Sequence, residues 1–173
     1  MQLPKRKQIR LKHYNYSQNG YYFVTVCTKN RYNLLTETTK LIVEQKLNQI
    51  PRYYPAALID YYVVMQNHIH VIIVIDSDVR ARGPRPYSND NVGAGFPRPS
   101  IIPTLGQIIA YFKYQSTKSI NALSNTASAQ FWQRGYYEHI IRNESSLHKI
   151  REYIMNNPEK LKYDWDKLDI ALV

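Results

Sequence analysis

Two long apolar runs, residues 57 to 65 and 68 to 76, stand on either side of the polar pair Gln66-Asn67. The second run contains Val71-Ile72-Ile73-Val74-Ile75, five β-branched residues in succession, whose stiff side chains favour a pleated strand. Two such runs joined by so short a polar break predict a β-hairpin. Their nearly continuous apolar character predicts central positions in a sheet covered by helices. Residues 21 to 28, Tyr-Tyr-Phe-Val-Thr-Val-Cys-Thr, read as an earlier strand. Residues 36 to 50 read as a helix with Leu41, Ile42, Gln45, Leu47 and Ile50 on or near one face, and Pro51 as its stop. A longer helix from Ile102 or Pro103 to about Ala122 carries Leu105, Ile108, Ile109, Phe112 and Ile120, with Lys113 and Lys118 toward solvent. Residues 131 to 142 read as a turn plus a strand. Leu147, Ile150 and Ile154 then mark a last helix, 145 to 157, capped by Asn143 or Ser145 and ended by Pro158. Strands and helices alternate without a parallel βαβ series, so the expected class is α+β: an antiparallel sheet with two or three helices on one face.

Laid on these elements, a few polar residues become candidates for chemistry. Side chains alternate along a strand, so His68 and His70 share one face and Ile69 the other. Two imidazoles at that spacing can grip one divalent ion; two hydrogen-bonded histidines at the start of a buried strand are the alternative. On the last helix Tyr153 and Asn157 are four apart and project from the same side, offering a phenol and an amide oxygen together. Tyr111, followed four residues later by Gln115, is a rival to Tyr153; Tyr114, Tyr136 and Tyr137 lack such a partner. Glu138, His139 and Glu152 are further polar candidates near these positions.

Charge narrows the partners. Lys and Arg number 23 against 13 Asp and Glu, a net charge of +10, which favours a polyanion and above all nucleic acid. Lys5, Arg6, Lys7, Arg10, Lys12 and His13 open the chain with no acid among them. Sixteen tyrosines add surfaces on which bases could stack, although many must be core. The stretch 77 to 100 changes character: Arg80, Arg82, Arg85 and Arg98 lie among prolines and glycines, with near-duplicate Gly-Pro-Arg-Pro-Tyr-Ser (83–88) and Gly-Phe-Pro-Arg-Pro-Ser (95–100) segments, and it reads as a flexible basic loop. The length of 173 residues fits a single domain, 1–173, with that loop inside it. One cysteine excludes an internal disulfide framework. No apolar run approaches the roughly 20 residues of a bilayer span, and no hydrophobic stretch follows the basic start, so a cytoplasmic location and no membrane partner are expected.

His-hydrophobic-His on a strand followed by Tyr-x-x-x-Asn-Pro on a late helix resembles the single-tyrosine HUH endonucleases and transposases, most nearly the REP-associated tyrosine transposases within the IS200-like group. Val63-Val64-Met65-Gln66-Asn67-His68-Ile69-His70, Phe131-Trp132-Gln133-Arg134, Tyr137-Glu138-His139, Ile141-Arg142-Asn143-Glu144 and the strand from Tyr21 carry the likeness, which spans most of residues 8 to 165. Gln66 departs from it, since relatives usually have proline there. The resemblance implies a ferredoxin-like sandwich and a metal-dependent endonuclease and strand transferase acting on single-stranded or hairpin DNA through a 5′-phosphotyrosine. In that picture Tyr153 is the nucleophile, and His68, His70 and Asn157 hold Mg²⁺ or Mn²⁺. Lys5, Arg6, Lys7, Arg10, Lys12 and Arg134 touch DNA. The resemblance is compatible with a homodimer or a monomer. A hairpin-binding protein without cleavage and a metal-dependent hydrolase with a water nucleophile are the competing readings.

If the basic arm tracks a phosphate backbone, deleting residues 1 to 12 weakens hairpin binding and flattens its salt dependence. Each lost phosphate contact lowers the slope of log affinity against log salt by roughly 0.7 to 0.9. Affinity titrations over a salt series check this; equal slopes for the full and shortened chains would refute it.

Overall fold

The computed structural model describes residue 11 and residues 13–78, 102–126 and 129–156. Four strands, β1 (Gly20–Cys27), β2 (Ala57–Val64), β3 (His68–Ile75) and β4 (Tyr137–Ile141), form one sheet in the order β2-β3-β1-β4 with every neighbour antiparallel. The helices are α1 (Glu37–Asn48), a single turn α2 (Ile50–Tyr53), α3 (Leu105–Leu123) and α4 (Glu144–Asn156). This is the α+β, ferredoxin-like sandwich expected. The predicted hairpin forms, closed by the Met65 amide donating to the His68 carbonyl at 2.9 Å.

The alternation of β3 divides the core in two. Ile69, Val71, Ile73 and Ile75 join Tyr22, Val24 and Val26 of β1 against Val43 and Leu47 of α1, Ile50 of α2 and Leu105, Ile108, Ile109 and Phe112 of α3. On the opposite face Ile72 joins Phe23 and Ile141 against Leu147, Ile150 and Ile154 of α4. Among the described residues, three helices thus cover one face of the sheet, and α4 covers the other. Burial of each such aliphatic side chain contributes about 1.5–3 kcal/mol before entropy is counted. That two-sided burial explains why β3 reads as an uninterrupted apolar run. β2 differs from expectation: among the described residues it is an edge strand, paired with β3 alone, and only Ala57 is buried along its length.

Local details set the helix ends. Thr104 caps α3 through a reciprocal box, its hydroxyl accepting from the Gln107 amide while the Gln107 side chain accepts from the Thr104 amide at 2.8 Å. Pro51 does not end the helical path; it starts the turn α2, where a fixed φ is tolerated. On α1 the buried stripe is Val43 and Leu47, followed by Ile50 in α2, and Leu41 points to solvent at 66% exposure. Asn143 caps α4 by accepting from the Ser146 amide at 2.8 Å. Buried Ser116 on α3 accepts from the Trp132 indole at 2.9 Å and donates to the Phe112 carbonyl, which seats the segment before β4.

α4 is tied to β2 by more than its apolar stripe. Arg151 grips Asp60 with two parallel hydrogen bonds of 2.8 and 2.9 Å, and its guanidinium lies 5.4 Å from the centre of the Tyr61 ring. A bidentate, partly covered pair is worth more than an ordinary surface ion pair. A double-mutant cycle with Asp60→Ala and Arg151→Ala, read by urea unfolding, is expected to give a coupling of about 1 kcal/mol. A coupling near zero would show that the apolar stripe alone holds α4.

Candidate active site

His68 and His70 lie at the start of β3 on the face covered by α4. Their ladder partners on β1 are Cys27 and Thr25, and on β2 Val63 stands opposite His70. The two Nε2 atoms are 3.1 Å apart. Each ring is held by its other nitrogen. The Asn67 amide nitrogen donates to the Arg31 carbonyl at 3.3 Å, so its oxygen faces His68 Nδ1, 2.6 Å away. An amide oxygen only accepts, so His68 is protonated at Nδ1 and carries a lone pair at Nε2. His70 Nδ1 meets the Thr25 hydroxyl at 2.8 Å. A hydroxyl both donates and accepts, so it follows His70 through either tautomer. Without a metal, His70 Nε2–H donates to the lone pair of His68. With one, His70 can shift its proton to Nδ1 and offer Nε2 as a second donor.

Both rings are neutral near pH 7. Burial, followed by the His68 charge, drives His70 down to about 3; burial, followed by Arg31, lowers His68 as well. His70 is 1% exposed, and the Phe23 ring stacks on it at 5.4 Å between centres and 23° between planes. Neutral imidazoles are what a divalent cation needs. Two nitrogens 3.1 Å apart also suit one ion roughly 2.1 Å from each, which then subtends about a right angle. The donor set fits a metal ion in chemistry and spacing, but it is incomplete: among the described residues no three His, Cys, Asp or Glu side chains gather around one point. Cys27 is no ready ligand, since burial pushes its thiol pKa up and keeps it protonated.

Tyr153 comes to the pair from α4. Its hydroxyl is 3.3 Å from His70 Nε2, and its ring meets His70 edge-on at 5.4 Å and Phe23 at 6.3 Å. Tyr111 is excluded from this place. It lies on α3, across the sheet, stacked on Tyr53 at 4.1 Å and 11°. Tyr136 packs into the core on that same far side, while Tyr137 shares the histidine face but stands beyond Thr25, one strand further from His70. Glu138 also faces the α1–α3 side, by its pairing with Val24. His139 is on the histidine face next to Phe23, and Glu152 is exposed on α4. Arg134 is exposed on the segment beside the end of β1, where the Gln133 amide donates to the Cys27 carbonyl at 2.9 Å. Asn157, Lys5, Arg6, Lys7, Arg10, Lys12 and the 79–100 part of the basic loop lie outside the described residues.

Sequence reasoning missed the groups that orient the site: Thr25, Asn67, Phe23 and the Asp60–Arg151 pair. Asn67 had a visible signal, a polar residue at a hairpin tip next to a histidine. Thr25 could be found only from the β1–β3 register.

The depressed histidine values give a pH prediction for the protein with a chelator present. The folded state resists protonation of His70 and His68, while the unfolded chain takes up protons near 6.5. The unfolded state therefore binds more protons below that value, and stability present above pH 6.5 falls as the pH drops toward 3. Between pH 7 and 5, thermal melts of a His68→Gln/His70→Gln variant should depend less on pH than those of the unaltered protein. Parallel curves would show that the pair does not titrate in this way.

Comparison with known proteins agrees with this architecture. A family model described as transposase IS200 like matches residues 16–82, from the turn before β1 past the end of β3. An uncharacterized protein of Haemophilus influenzae is 38% identical over 162 residues, covering 88% of each chain. The solved structure of a REP-associated tyrosine transposase bound to a REP hairpin superposes with a TM-score of 0.57 at 23% identity, covering 87% of this chain and 73% of that one, and so shares the fold. With His68 and His70 on β3 inside the matched segment and a near-full-length relative alongside, the chain belongs to the IS200-like transposase family.

Proposed function

We propose that this protein is a metal-dependent endonuclease and strand transferase that acts on single-stranded, hairpin-bearing DNA through a 5′-phosphotyrosine on Tyr153. The observation that carries the reading is the meeting of three side chains from two elements, with the Tyr153 hydroxyl 3.3 Å from His70 Nε2 and that nitrogen 3.1 Å from His68 Nε2. The hairpin bound by the structural neighbour and the +10 charge of this chain support DNA as the substrate.

A phenol with an ordinary pKa near 10 is a weak nucleophile at neutral pH. A divalent cation on His68 and His70, with Asn157 as a third donor, would supply positive charge beside the Tyr153 oxygen, favouring phenolate and drawing negative charge from the phosphate. Tyr153 then attacks phosphorus, and the bond to the 3′ oxygen breaks. That oxygen leaves with the electron pair and takes a proton to become a 3′-hydroxyl. The phosphodiester is conserved as a phosphotyrosine ester, so a second 3′-hydroxyl can reverse the step and join strands without a nucleotide cofactor. His70 cannot take the phenol proton while its Nε2 holds a cation, and its depressed pKa makes it a poor base in any case. The proton leaves to water or to another group. The chain's own contribution is orientation: Thr25 and Asn67 aim the nitrogens, while Phe23 and the Asp60–Arg151 pair place Tyr153.

Incubating labelled single-stranded hairpin DNA with protein and Mn²⁺ should give an adduct that survives denaturation. Tyr153→Phe should keep hairpin binding and lose the adduct, because only the phenol oxygen is removed. His68→Ala/His70→Ala should lose the adduct together with most of the Mn²⁺ binding measured by calorimetry. An undiminished adduct in Tyr153→Phe would move the nucleophile elsewhere. Hairpin binding with no adduct from the unaltered protein would identify a binder that does not cut.

A further inference from the structure

The turn between β1 and α1 is built with unusual backbone. Asn30 and Arg31 both have left-handed φ angles, 53° and 57°, and neither is glycine. Asparagine adopts that region readily; arginine does not, so surrounding contacts must hold it there. They are on hand. The Arg31 carbonyl accepts from the Asn67 side chain, and the buried Thr28 hydroxyl donates to the Tyr32 carbonyl at 2.6 Å. The Leu35 amide donates to the Gln66 carbonyl at 2.9 Å. The turn is thereby stitched to Gln66 and Asn67, the two residues that lead into His68.

What the turn presents outward is an aromatic ring and cations. Tyr32 is 60% exposed, the most exposed tyrosine among the described residues. Tyr61 also reaches solvent but carries the Arg151 guanidinium, and Tyr114 lies on α3 across the sheet. Lys29 and Arg31 flank Tyr32 and are exposed. Arg134 reaches the same end of the sheet, because its segment pairs with residues 27 to 29: Gln133 donates to Cys27, Trp132 bridges Thr28, and Lys29 donates to Phe131. A strained, pinned turn that exposes a large aromatic among three cations suits an unpaired nucleic-acid strand. Stacking takes the base, and the cations take the backbone.

We propose that the turn from Lys29 to Tyr32 is the platform for the single-stranded flank next to the scissile phosphate, with Tyr32 stacked on one base and Arg31 and Arg134 on the phosphates. This rests on the function proposed above and names residues for it. The turn's place beside Asn67 puts the stacked base within a few nucleotides of the phosphate at the histidine pair, so the platform would set how far from the hairpin cleavage falls.

Two DNA probes test this, both bound in a chelator so that nothing is cut: a blunt hairpin, and the same hairpin with a single-stranded flank. The unaltered chain is expected to prefer the flanked probe. Tyr32→Leu should bind it about 5- to 150-fold more weakly, the range for removal of one stacked aromatic. Its salt slope and its affinity for the blunt hairpin should not change. Tyr32→Phe should behave like the unaltered protein, since the ring remains. Arg31→Ala should lower the salt slope on the flanked probe by roughly 0.7. Equal binding of the flanked probe by Tyr32→Leu and the unaltered protein would overturn the platform and leave the cleavage reading untouched. So would equal losses on both probes, which would mark Tyr32 as a structural residue. Failure of the unaltered chain to bind either probe would overturn both readings together.

Discussion

The pairing of β3 with β1 is the constraint on which the rest of the molecule depends. In this register Thr25 stands opposite His70 and Cys27 opposite His68. Side chains repeat every two residues along a strand, so a slip of one position would turn both imidazoles into the core under α1 and α3. Such a slip is costly because β3 is buried on both faces. It would also drive Ile69, Val71, Ile73 and Ile75 out of their packing against three helices. The hydrophobic effect, acting on residues with no chemistry of their own, is what holds two histidines side by side under α4.

Burial that secures the register also tunes the site. Desolvation keeps both imidazoles neutral, and it would leave their ring nitrogens costly if they had no partners. Thr25 and Asn67 answer that cost at Nδ1 of each ring, which leaves the Nε2 atoms turned toward each other and toward Tyr153. Among the described residues, α4 packs on the histidine face through three aliphatic residues and one bidentate ion pair, whereas α1, α2 and α3 share the other face. A helix so held is anchored to β2 at Arg151, two residues before Tyr153.

Much of the architecture was legible in the chain because local rules and burial agree along it. The run after His70 is β-branched and continuous, the helices carry apolar stripes, and Gln66-Asn67 is a short polar break, so the strands, the hairpin and the α+β class follow without long-range information. His68, His70 and Tyr153 were legible as types at particular spacings. Where expectation and structure part, a long-range pairing intervened. β2 is apolar enough for a central strand yet lies at the edge, because among the described residues only β3 pairs with it. Leu41 is apolar yet exposed, because the face of α1 that meets the sheet is set by Val43 and Leu47.

By itself, then, the sequence determined the elements and which residues could carry chemistry, both of which depend on neighbours within a few positions. Tertiary structure alone decided which of them meet. Tyr153 and Tyr111 both have an amide residue four positions on, and only the Asn-Pro context favoured Tyr153 in the sequence; the sheet separates them in space, by placing α4 over the histidine face and α3 over the other. Thr25 beneath His70, Asp60 across from Arg151 and the turn at Tyr32 beside Asn67 likewise arise from strand order and register. Those are properties of contacts between distant segments, fixed only when the whole chain buries its apolar surface at once.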